Sequence, residues 1–244
     1  MVKKILKITG IALSVLVVLA LIAVNVLFAR YDEMKTVRTI KDGGIPVQHA
    51  LVDYGDDHVI SAWSIGDTSN KKALFIHGSP GHWVDWAALY TDTQLVRDYC
   101  LVSYDRPGYG GTTVPANGSL ALQADIAAKV MDHFCGTNAC YTVVGHSYGG
   151  GVVEEVLLNH PDNAVAGIYV AGTLSPEHQP IRWYNHIAAL RLIQWIIPKA
   201  FESSNIEMME LPGELRKNKG LQSTIFGPIT LIQGTGDVLV PFAT

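Results

Sequence analysis

Residues 143–151, VVGHSYGGG, constrain the fold of this chain more than any other stretch. They join a β-branched and aromatic run, residues 141–144, to residues 151–159, whose apolar positions recur at helical spacing. Ser147 stands between two glycines of a G-x-S-x-G pattern, and glycines permit a sharp turn with closely approaching neighbours. The pattern predicts a strand, a turn that presents the Ser147 side chain, and a helix whose amino end favours nearby negative charge.

Composition narrows the class of protein. With 244 residues and 48% hydrophobic content, the chain can bury the core of one large α/β domain. The net charge is −4 and no basic stripe or basic-aromatic cluster stands out in the sequence, so we expect no nucleic-acid partner. No Cys/His spacing typical of a metal site is present either. We therefore expect neither a metal nor another cofactor.

The amino-terminal residues predict a membrane segment. Three lysines precede residues 8–29, which carry no charge and number about 22, enough to cross a bilayer. No small-x-small cleavage site is well placed at the end of this run. We expect residues 1–30 to be an uncleaved transmembrane anchor, with a cleaved signal peptide or a buried helix as alternatives. A short amino tail before a long domain favours an extracytoplasmic location for that domain.

Strand and helix patterns alternate along the rest of the chain. Residues 31–44 are polar and are predicted to be a linker, and residues 45–244 are predicted to form one domain. Predicted helices, the second of them capped by Ser119, alternate with most of the predicted strands. The predicted strands are 47–54, 58–65, 73–76, 100–104, 141–144, 165–171 and 228–233, and the predicted helices are 83–96, 119–134 and 151–159. Strands separated by single helices predict a mostly parallel sheet wound on both faces.

Two glycine-rich loops follow early strands. HGSPG, residues 77–81, comes directly after the strand at 73–76. Acyl transfer needs two fixed donors for the tetrahedral oxyanion, and the backbone N–H groups of Ser79 and Tyr148 are placed to supply them. The alternative is that glycine and proline only turn the chain here. DRPGYGG, residues 105–111, is interpreted as a structural loop anchored by its Asp and Arg.

A late loop completes the set of motifs. GTGDVLVP, residues 234–241, follows the strand at 228–233, where a Ser–His–acid triad in the chain order Ser, Asp, His places its acid. HGSPG, DRPGYGG, GHSYGGG and GTGDVLVP, in this order, resemble the α/β-hydrolase superfamily over residues 45–244. The similarity is greatest to its single-domain esterase, lipase and peptidase-like branches.

The resemblance implies an α/β-hydrolase fold and a serine hydrolase of small ester- or amide-type molecules, acting through an acyl-enzyme without a cofactor. It implies Ser147 as nucleophile, Asp237 as triad acid, and the Ser79 and Tyr148 amides as oxyanion hole. Serine at this turn argues against relatives that use aspartate there, the haloalkane dehalogenases and epoxide hydrolases. An acyltransferase or a cofactor-free haloperoxidase is an alternative, because the same triad supports both.

Residues 174–227 correspond to the lid of this family. Their aromatic and apolar side chains, including Trp183, Leu192 and Trp195, predict helices. Two interpretations stay open: the helices close over an apolar pocket, or they pack only against the body of the domain.

The family's general base is a histidine after the final strand, and only three residues follow Pro241 here. We therefore expect this sequence to lack that strand, histidine and helix, which makes activity doubtful. His82 and His178 are the candidate substitute bases. The alternative function is a catalytically inactive, membrane-anchored protein that binds a ligand or partner. An exposed edge of the strand at 228–233 is expected to permit association with another chain.

The three cysteines carry a further expectation. Cys135 and Cys140, four residues apart in a predicted loop, could form a small disulfide, which would indicate an oxidising compartment. The alternative is that all three are small buried residues, as Cys100 is expected to be within its apolar strand.

Overall fold

The computed structural model describes residues 32–237 continuously, together with residues 9, 10, 15–17, 19 and 240. The chain divides into two compact units, residues 1–34 and 35–244. In the first unit, the described residues 9, 10, 15–17 and 19 are helical. Most of the predicted anchor at 8–29 lies outside the described residues. Among those that are described, no helix is both long and apolar enough to span a bilayer, so the anchor stays a prediction.

The described part of the chain alternates strands and helices. The strands are β1 (Val47–Gly55), β2 (His58–Ile65), β3 (Lys71–Ile76), β4 (Tyr99–Tyr104), β5 (Tyr141–His146), β6 (Ala164–Val170) and β7 (Ile229–Ile232). The α-helices are α1 (Glu33–Asp42), α2 (Ala87–Tyr90), α3 (Thr93–Asp98), α4 (Leu120–Cys135), α5 (Tyr148–Asn159), α6 (Trp183–Ala188), α7 (Arg191–Gln194) and α8 (Lys199–Asn218). Short 3₁₀ helices span Trp83–Trp86, Pro176–His178 and Gln222–Thr224.

One sheet joins the seven described strands in the order β1-β2-β4-β3-β5-β6-β7. β2 is antiparallel to β1 and β4, and the remaining pairs are parallel. Ile76 at the end of β3 pairs with Gly145 near the end of β5. The loops that follow β3 and β5 therefore leave the sheet side by side, at the carboxyl edge where open α/β sheets bind ligands. The predicted mostly parallel sheet is confirmed.

Alternating side chains of the central strands supply two cores. Leu74 and Val143 point to the core shared with α4 and α5, whereas Phe75 and Val144 point to the core on the opposite face. All four side chains are buried. Burial of both faces confirms the prediction that helices cover the sheet on two sides.

Two predicted elements differ from the structure. The helix predicted over 83–96 is divided into the 3₁₀ helix, α2 and α3, because the Asp92 carboxylate accepts hydrogen bonds from the Gln94 and Leu95 amides and starts a new helix. The predicted linker at 31–44 contains helix α1. Ile40 of that helix is fully buried and Val37 packs beside it, so two apolar positions in a polar stretch hold the helix against the domain.

The predicted Cys135–Cys140 disulfide is wrong for this structure, in which all three cysteines are free. Cys140 is exposed and Cys135 is half-buried at the end of α4. Cys100 is fully buried in β4, as predicted. The Cys135 side chain lies near Cys100, and hydrogen bonding between the two lowers the pKa of the Cys100 thiol. The partner of Cys135 is therefore Cys100 of β4. The short sequence separation of Cys135 and Cys140 did not indicate this contact.

Close approach of α5 to β3 generates a first prediction. A methyl group on Gly149 would lie 2.6 Å from the Ile76 carbonyl oxygen, which is backbone and cannot move freely. On Gly151 it would lie 3.3 Å from Leu120 Cδ1, the end of a flexible side chain. We expect Gly149→Ala to destabilise the protein by about 1–3 kcal/mol. Its control, Gly151→Ala, should be neutral or up to about 1 kcal/mol stabilising through helix propensity. Urea unfolding measures both, and equal effects would contradict the prediction.

Glu154 is an unusual charge in α5. It is 1% exposed, and neither carboxylate oxygen has a hydrogen-bond partner among the described residues. Burial, reinforced by the nearby Glu155 carboxylate, raises the pKa of Glu154 to about 7. The folded state therefore keeps this proton at a pH where the unfolded chain has lost it.

The raised pKa of Glu154 predicts how stability depends on pH. The contribution of Glu154 to the free energy of unfolding is fully present below the ordinary glutamate pKa of 4.5. It is lost as the pH rises through about 7. Each unit of difference in pKa corresponds to about 1.4 kcal/mol. We expect Glu154→Gln to match the wild type at low pH and to melt at a higher temperature at pH values above 7. Melting curves across this range test it, with Glu202→Gln as control. A variant whose advantage does not grow with pH would disprove the assignment.

Candidate active site

Ser147 occupies the turn between β5 and α5 with φ 52° and ψ −117°. A positive φ is costly for a residue with a side chain and persists only where the surroundings enforce it. The Ser147 N–H donates to the Val170 carbonyl at 3.0 Å. Its own carbonyl accepts from the Gly150 and Thr173 amides at 2.9 and 3.0 Å. The predicted strand, turn and helix are therefore present, and the turn is fixed from both sides.

Neighbouring glycines leave room for this turn. A methyl group on Gly145 would lie 2.3 Å from the Gly149 carbonyl oxygen, so the chain can close this tightly only without a side chain there. A methyl group on Gly78 would lie 3.3 Å from Ser147 Cβ. The HGSPG loop thus runs directly beside Ser147.

His77 and Arg106 fix the orientation of that loop. The Gly78 carbonyl accepts from Arg106 Nη2 at 2.7 Å and lies 2.8 Å from His77 Nδ1. His77 Nε2 accepts a hydrogen bond from the backbone N–H of Arg106 at 3.0 Å. The ring hydrogen of neutral His77 therefore belongs on Nδ1. Burial, followed by the charge of Arg106, lowers the pKa of His77 well below 6.5 and keeps the ring neutral.

Two backbone donors result from this arrangement. The carbonyl and N–H of one trans peptide point in opposite directions, so the fixed Gly78 carbonyl directs the Ser79 N–H away from Arg106. Tyr148 is the first residue of α5, and its N–H has no partner within the helix. Among the described residues, no acceptor is bound to either N–H. The residues predicted as an oxyanion hole therefore have amides available for a ligand.

A buried ion pair lies behind these donors. Arg106 and Glu207 are both fully buried, and the two Arg106 Nη atoms bind the two Glu207 carboxylate oxygens. Arg106 also donates to Gln123 Oε1 at 2.8 Å and, through Nε, to the His77 carbonyl at 3.1 Å. The guanidinium is thereby satisfied in a region without water access, and it connects α8 to the HGSPG loop.

Two tyrosines complete the surroundings of the Arg106 charge. The guanidinium carbon lies 5.1 Å from the centre of the Tyr109 ring and 4.6 Å from that of Tyr148, within cation–π range. Tyr109 donates its hydroxyl hydrogen to Glu207 Oε2 at 2.8 Å. Burial and the Glu207 charge raise the pKa of both phenols, which stay protonated. Sequence reasoning missed Glu207, because nothing in α8 marks one glutamate among several as a partner for a residue 101 positions earlier.

Asp105 anchors its own loop, as predicted. Its carboxylate is fully buried and accepts from the Trp83 amide at 3.1 Å and the Gly111 amide at 3.0 Å. A methyl group on Gly110 would lie 1.9 Å from the same carboxylate. The loop at 105–111 is therefore built around Asp105 and requires glycine where it closes.

The candidate substitute bases lie against other groups. His82 Nδ1 is 3.4 Å from the Val84 amide, and Nε2 is 3.6 Å from Asp105 Oδ1. His178 is exposed, with Nδ1 3.0 Å from Ser175 Oγ. Among the described residues, the Ser147 hydroxyl makes no hydrogen bond. Neither histidine is brought to Ser147 in this arrangement.

Asp237 follows β7, at the same sheet edge as Ser147, because β5, β6 and β7 are parallel. Asp237 is half-buried. Its Oδ1 accepts a hydrogen bond from the Val240 amide at 3.0 Å, and its Oδ2 accepts one from Gln233 Nε2 at 3.3 Å. These contacts hold the loop in place. The role of Asp237 as triad acid stays a prediction.

His146, the residue before Ser147, lies outside the core. It is exposed at the end of β5, and its ring packs edge-on against Trp86, with 6.3 Å between ring centres. Strand alternation places His146 on the same face as buried Val144, but the last residue of the strand extends past the core on that face.

Helices α6 and α7 fit neither interpretation of the lid. Trp183, Leu192 and Trp195 are 74%, 71% and 91% exposed. Tyr184, Leu190 and Ile196 are also exposed. These side chains neither line a closed pocket nor pack against the body of the domain. The contact between lid and body is made by α8 instead, through Leu211, Leu215 and Glu207.

Comparison with known proteins agrees with this architecture. Residues 73–221, more than half of the chain, match the model of the alpha/beta hydrolase family. The chain belongs to this family, and its sheet with flanking helices is the α/β-hydrolase fold.

Three individual relatives share 30% or less of their sequence with this chain. The dihydrolipoyllysine-residue acetyltransferase component of the acetoin cleaving system of Cupriavidus necator is 30% identical over 127 residues, 47% of this chain and 33% of that protein. An esterase from Exiguobacterium antarcticum (20% identity, TM-score 0.58) aligns over 80% of this chain and 84% of its own. A Pseudomonas aeruginosa hydrolase (13% identity, TM-score 0.61) aligns over 80% and 83%. The chain spans less than half the length of the curated relatives it matches, and the two structures share the fold alone.

The buried ion pair generates a prediction about stability. Glu207→Ala leaves the Arg106 charge buried without its partner, which typically costs about 3–5 kcal/mol. The exposed Glu210 of the same helix gives the control Glu210→Ala, for which we expect little change. Free energies of unfolding in urea measure both. Similar values for the two variants would mean that the Arg106–Glu207 contact does not hold α8 to the domain.

Proposed function

We propose that this protein is a serine hydrolase that cleaves small ester- or amide-type substrates through an acyl-enzyme on Ser147. The observation that carries the proposal is the pairing of a constrained serine with two unoccupied backbone donors. Ser147 is held at positive φ, and the Ser79 and Tyr148 amides have no acceptor among the described residues. Donors already fixed before the substrate arrives are what stabilise a developing oxyanion.

In the proposed reaction, Ser147 Oγ attacks the substrate carbonyl carbon while its proton passes to a base. The negative charge that develops on the carbonyl oxygen is stabilised by the Ser79 and Tyr148 amides. Collapse of the tetrahedral intermediate expels the alcohol or amine, which takes up the proton from the base. Water then attacks the acyl-enzyme by the same route. Asp237 would orient the base, and no cofactor is needed.

The base is the demanding element of this mechanism. His82 and His178 are the candidates in this sequence, and each would have to leave its present contacts to reach Ser147. Removal of one triad member leaves oxyanion stabilisation and binding, which still give about 10³–10⁴-fold catalysis over water. Slow turnover is therefore expected even where no histidine reaches the serine.

A second function is supported by the unpaired Ser147 hydroxyl: the chain would bind a ligand at the same site without turnover. An acyltransferase would share the acyl-enzyme and differ only in the acceptor, and the acetyltransferase relative from Cupriavidus necator is compatible with that variant. A cofactor-free haloperoxidase would use the same residues.

In each case residues 1–30 would anchor the chain to the membrane and place the domain on the extracytoplasmic side. The exposed strand β7 would leave an edge for association with another chain.

We predict that Ser147 alone carries the covalent chemistry. Ser147→Ala should abolish labelling by a fluorophosphonate probe and the acyl-enzyme route of p-nitrophenyl acetate hydrolysis. The melting temperature should be nearly unchanged, because the hydroxyl makes no hydrogen bond to the described residues. The exposed Ser223 gives the control Ser223→Ala, which should behave as the wild type.

Intact-mass measurement after incubation with the ester separates the alternatives. A transient acyl adduct on the wild type, absent from Ser147→Ala, supports the hydrolase or the acyltransferase, and acceleration by an added alcohol or amine favours the latter. Reversible binding without an adduct favours the ligand-binding function. An acyl adduct or fluorophosphonate labelling retained in Ser147→Ala would refute the assignment of the nucleophile.

A further inference from the structure

The segment from Ile181 to Lys199, here called the docking segment, exposes an unusual concentration of apolar surface. It contains α6 and α7, and eight large apolar side chains between 181 and 196 are at least 40% exposed. Trp195 is 91% exposed and Trp183 74%. Contiguous exposed apolar surface on a folded protein marks a place where a partner or a membrane binds.

The outward orientation of these side chains is fixed by the fold. Asn185 of α6 is only 6% exposed, and its Nδ2 donates to Asn205 Oδ1 of α8 at 2.8 Å. Asn205 Nδ2 in turn donates to the Asn185 carbonyl at 3.1 Å. The polar residue thus faces the protein, while Trp183, Tyr184 and Ile187 face outward. This is the reverse of an ordinary surface helix, whose apolar side faces the core.

The charge of the docking segment has one sign. No acidic residue occurs between Glu177 and Glu202, whereas Arg182, Arg191 and Lys199 lie in that interval and are exposed. Basic residues among exposed Trp, Tyr, Leu and Ile favour anionic lipid headgroups, with the apolar side chains entering the acyl boundary. A symmetric contact between two copies would bring like charges together, which opposes self-association.

We propose that the docking segment binds the surface of an anionic lipid bilayer. Trp183 and Trp195 insert at the headgroup level, and Arg182 and Arg191 contact lipid phosphates. This contact is separate from the predicted anchor at residues 1–30 and does not depend on the chemistry of Ser147. It would hold the face of the domain formed by α6 and α7 against the membrane.

The tryptophans of this chain give a direct test. Trp63 and Trp83 are buried and Trp86 is half-buried, so Trp183 and Trp195 are the two exposed tryptophans. The full chain is reconstituted with phosphatidylcholine vesicles that carry brominated acyl chains, with and without phosphatidylglycerol. We expect quenching of tryptophan fluorescence that is stronger with phosphatidylglycerol. The variant with Trp183→Phe and Trp195→Phe should lose most of it, and the control Trp86→Phe should keep it.

The basic residues are tested in the same assay. Arg182→Gln with Arg191→Gln should reduce quenching only where phosphatidylglycerol is present, and the exposed Arg97 gives the control Arg97→Gln. Circular dichroism verifies that each variant is folded. Absence of quenching in the wild type, or quenching that survives loss of Trp183 and Trp195, overturns the proposal. The proposal is also overturned if sedimentation shows a larger mass that depends on Trp195 while vesicles cause no quenching. That result would assign the surface to a second copy of the chain.

Discussion

The buried contact between Arg106 and Glu207 organises the site more than any other interaction. Taking two charges out of water is costly, and such a pair seldom adds net stability compared with apolar side chains of the same volume. Its value here is positional. Arg106 donates hydrogen bonds to Glu207, Gln123 and the carbonyls of His77 and Gly78. One side chain therefore fixes lid helix α8, core helix α4 and the HGSPG loop beside Ser147. A neutral side chain of similar size could fill the space but could not orient these four backbone and side-chain acceptors at once.

The oxyanion donors depend on this positioning. Backbone amides stabilise a charge only if their direction is set before the charge appears, and in the HGSPG loop that direction follows from the Gly78 carbonyl. The neutral ring of His77 contributes because its two nitrogens have opposite roles, one accepting from Arg106 and the other facing the carbonyl. A weaker hydrogen bond in any of these contacts would let the Gly78–Ser79 peptide rotate. Ser147 needs a similar constraint for a different reason, since its own backbone lies in a region that most residues avoid.

Local patterns predicted most of the fold. The glycines around Ser147, the β-branched runs and the Ser119 cap each indicated the structure that is present, because these signals act between residues close in sequence. Asp105 could be assigned as a loop anchor for the same reason. The long-range contacts could not be predicted. Glu207 reaches Arg106 across 101 positions, and Cys135 lies near Cys100 and forms no disulfide with Cys140. The outward side of α6 is decided by a pair of asparagines 20 residues apart. No periodicity encodes which of several similar side chains meets a distant partner.

The depth of the Arg106–Glu207 pair limits how this sequence can change over time. Replacing either residue alone passes through a protein with a lone charge in its interior, so the two positions are expected to vary together or not at all. The same contact restricts the length of the chain, since adding one residue between the start of α8 and Glu207 would turn that carboxylate by roughly 100° around the helix, away from Arg106. The first two turns of α8 must therefore keep their length.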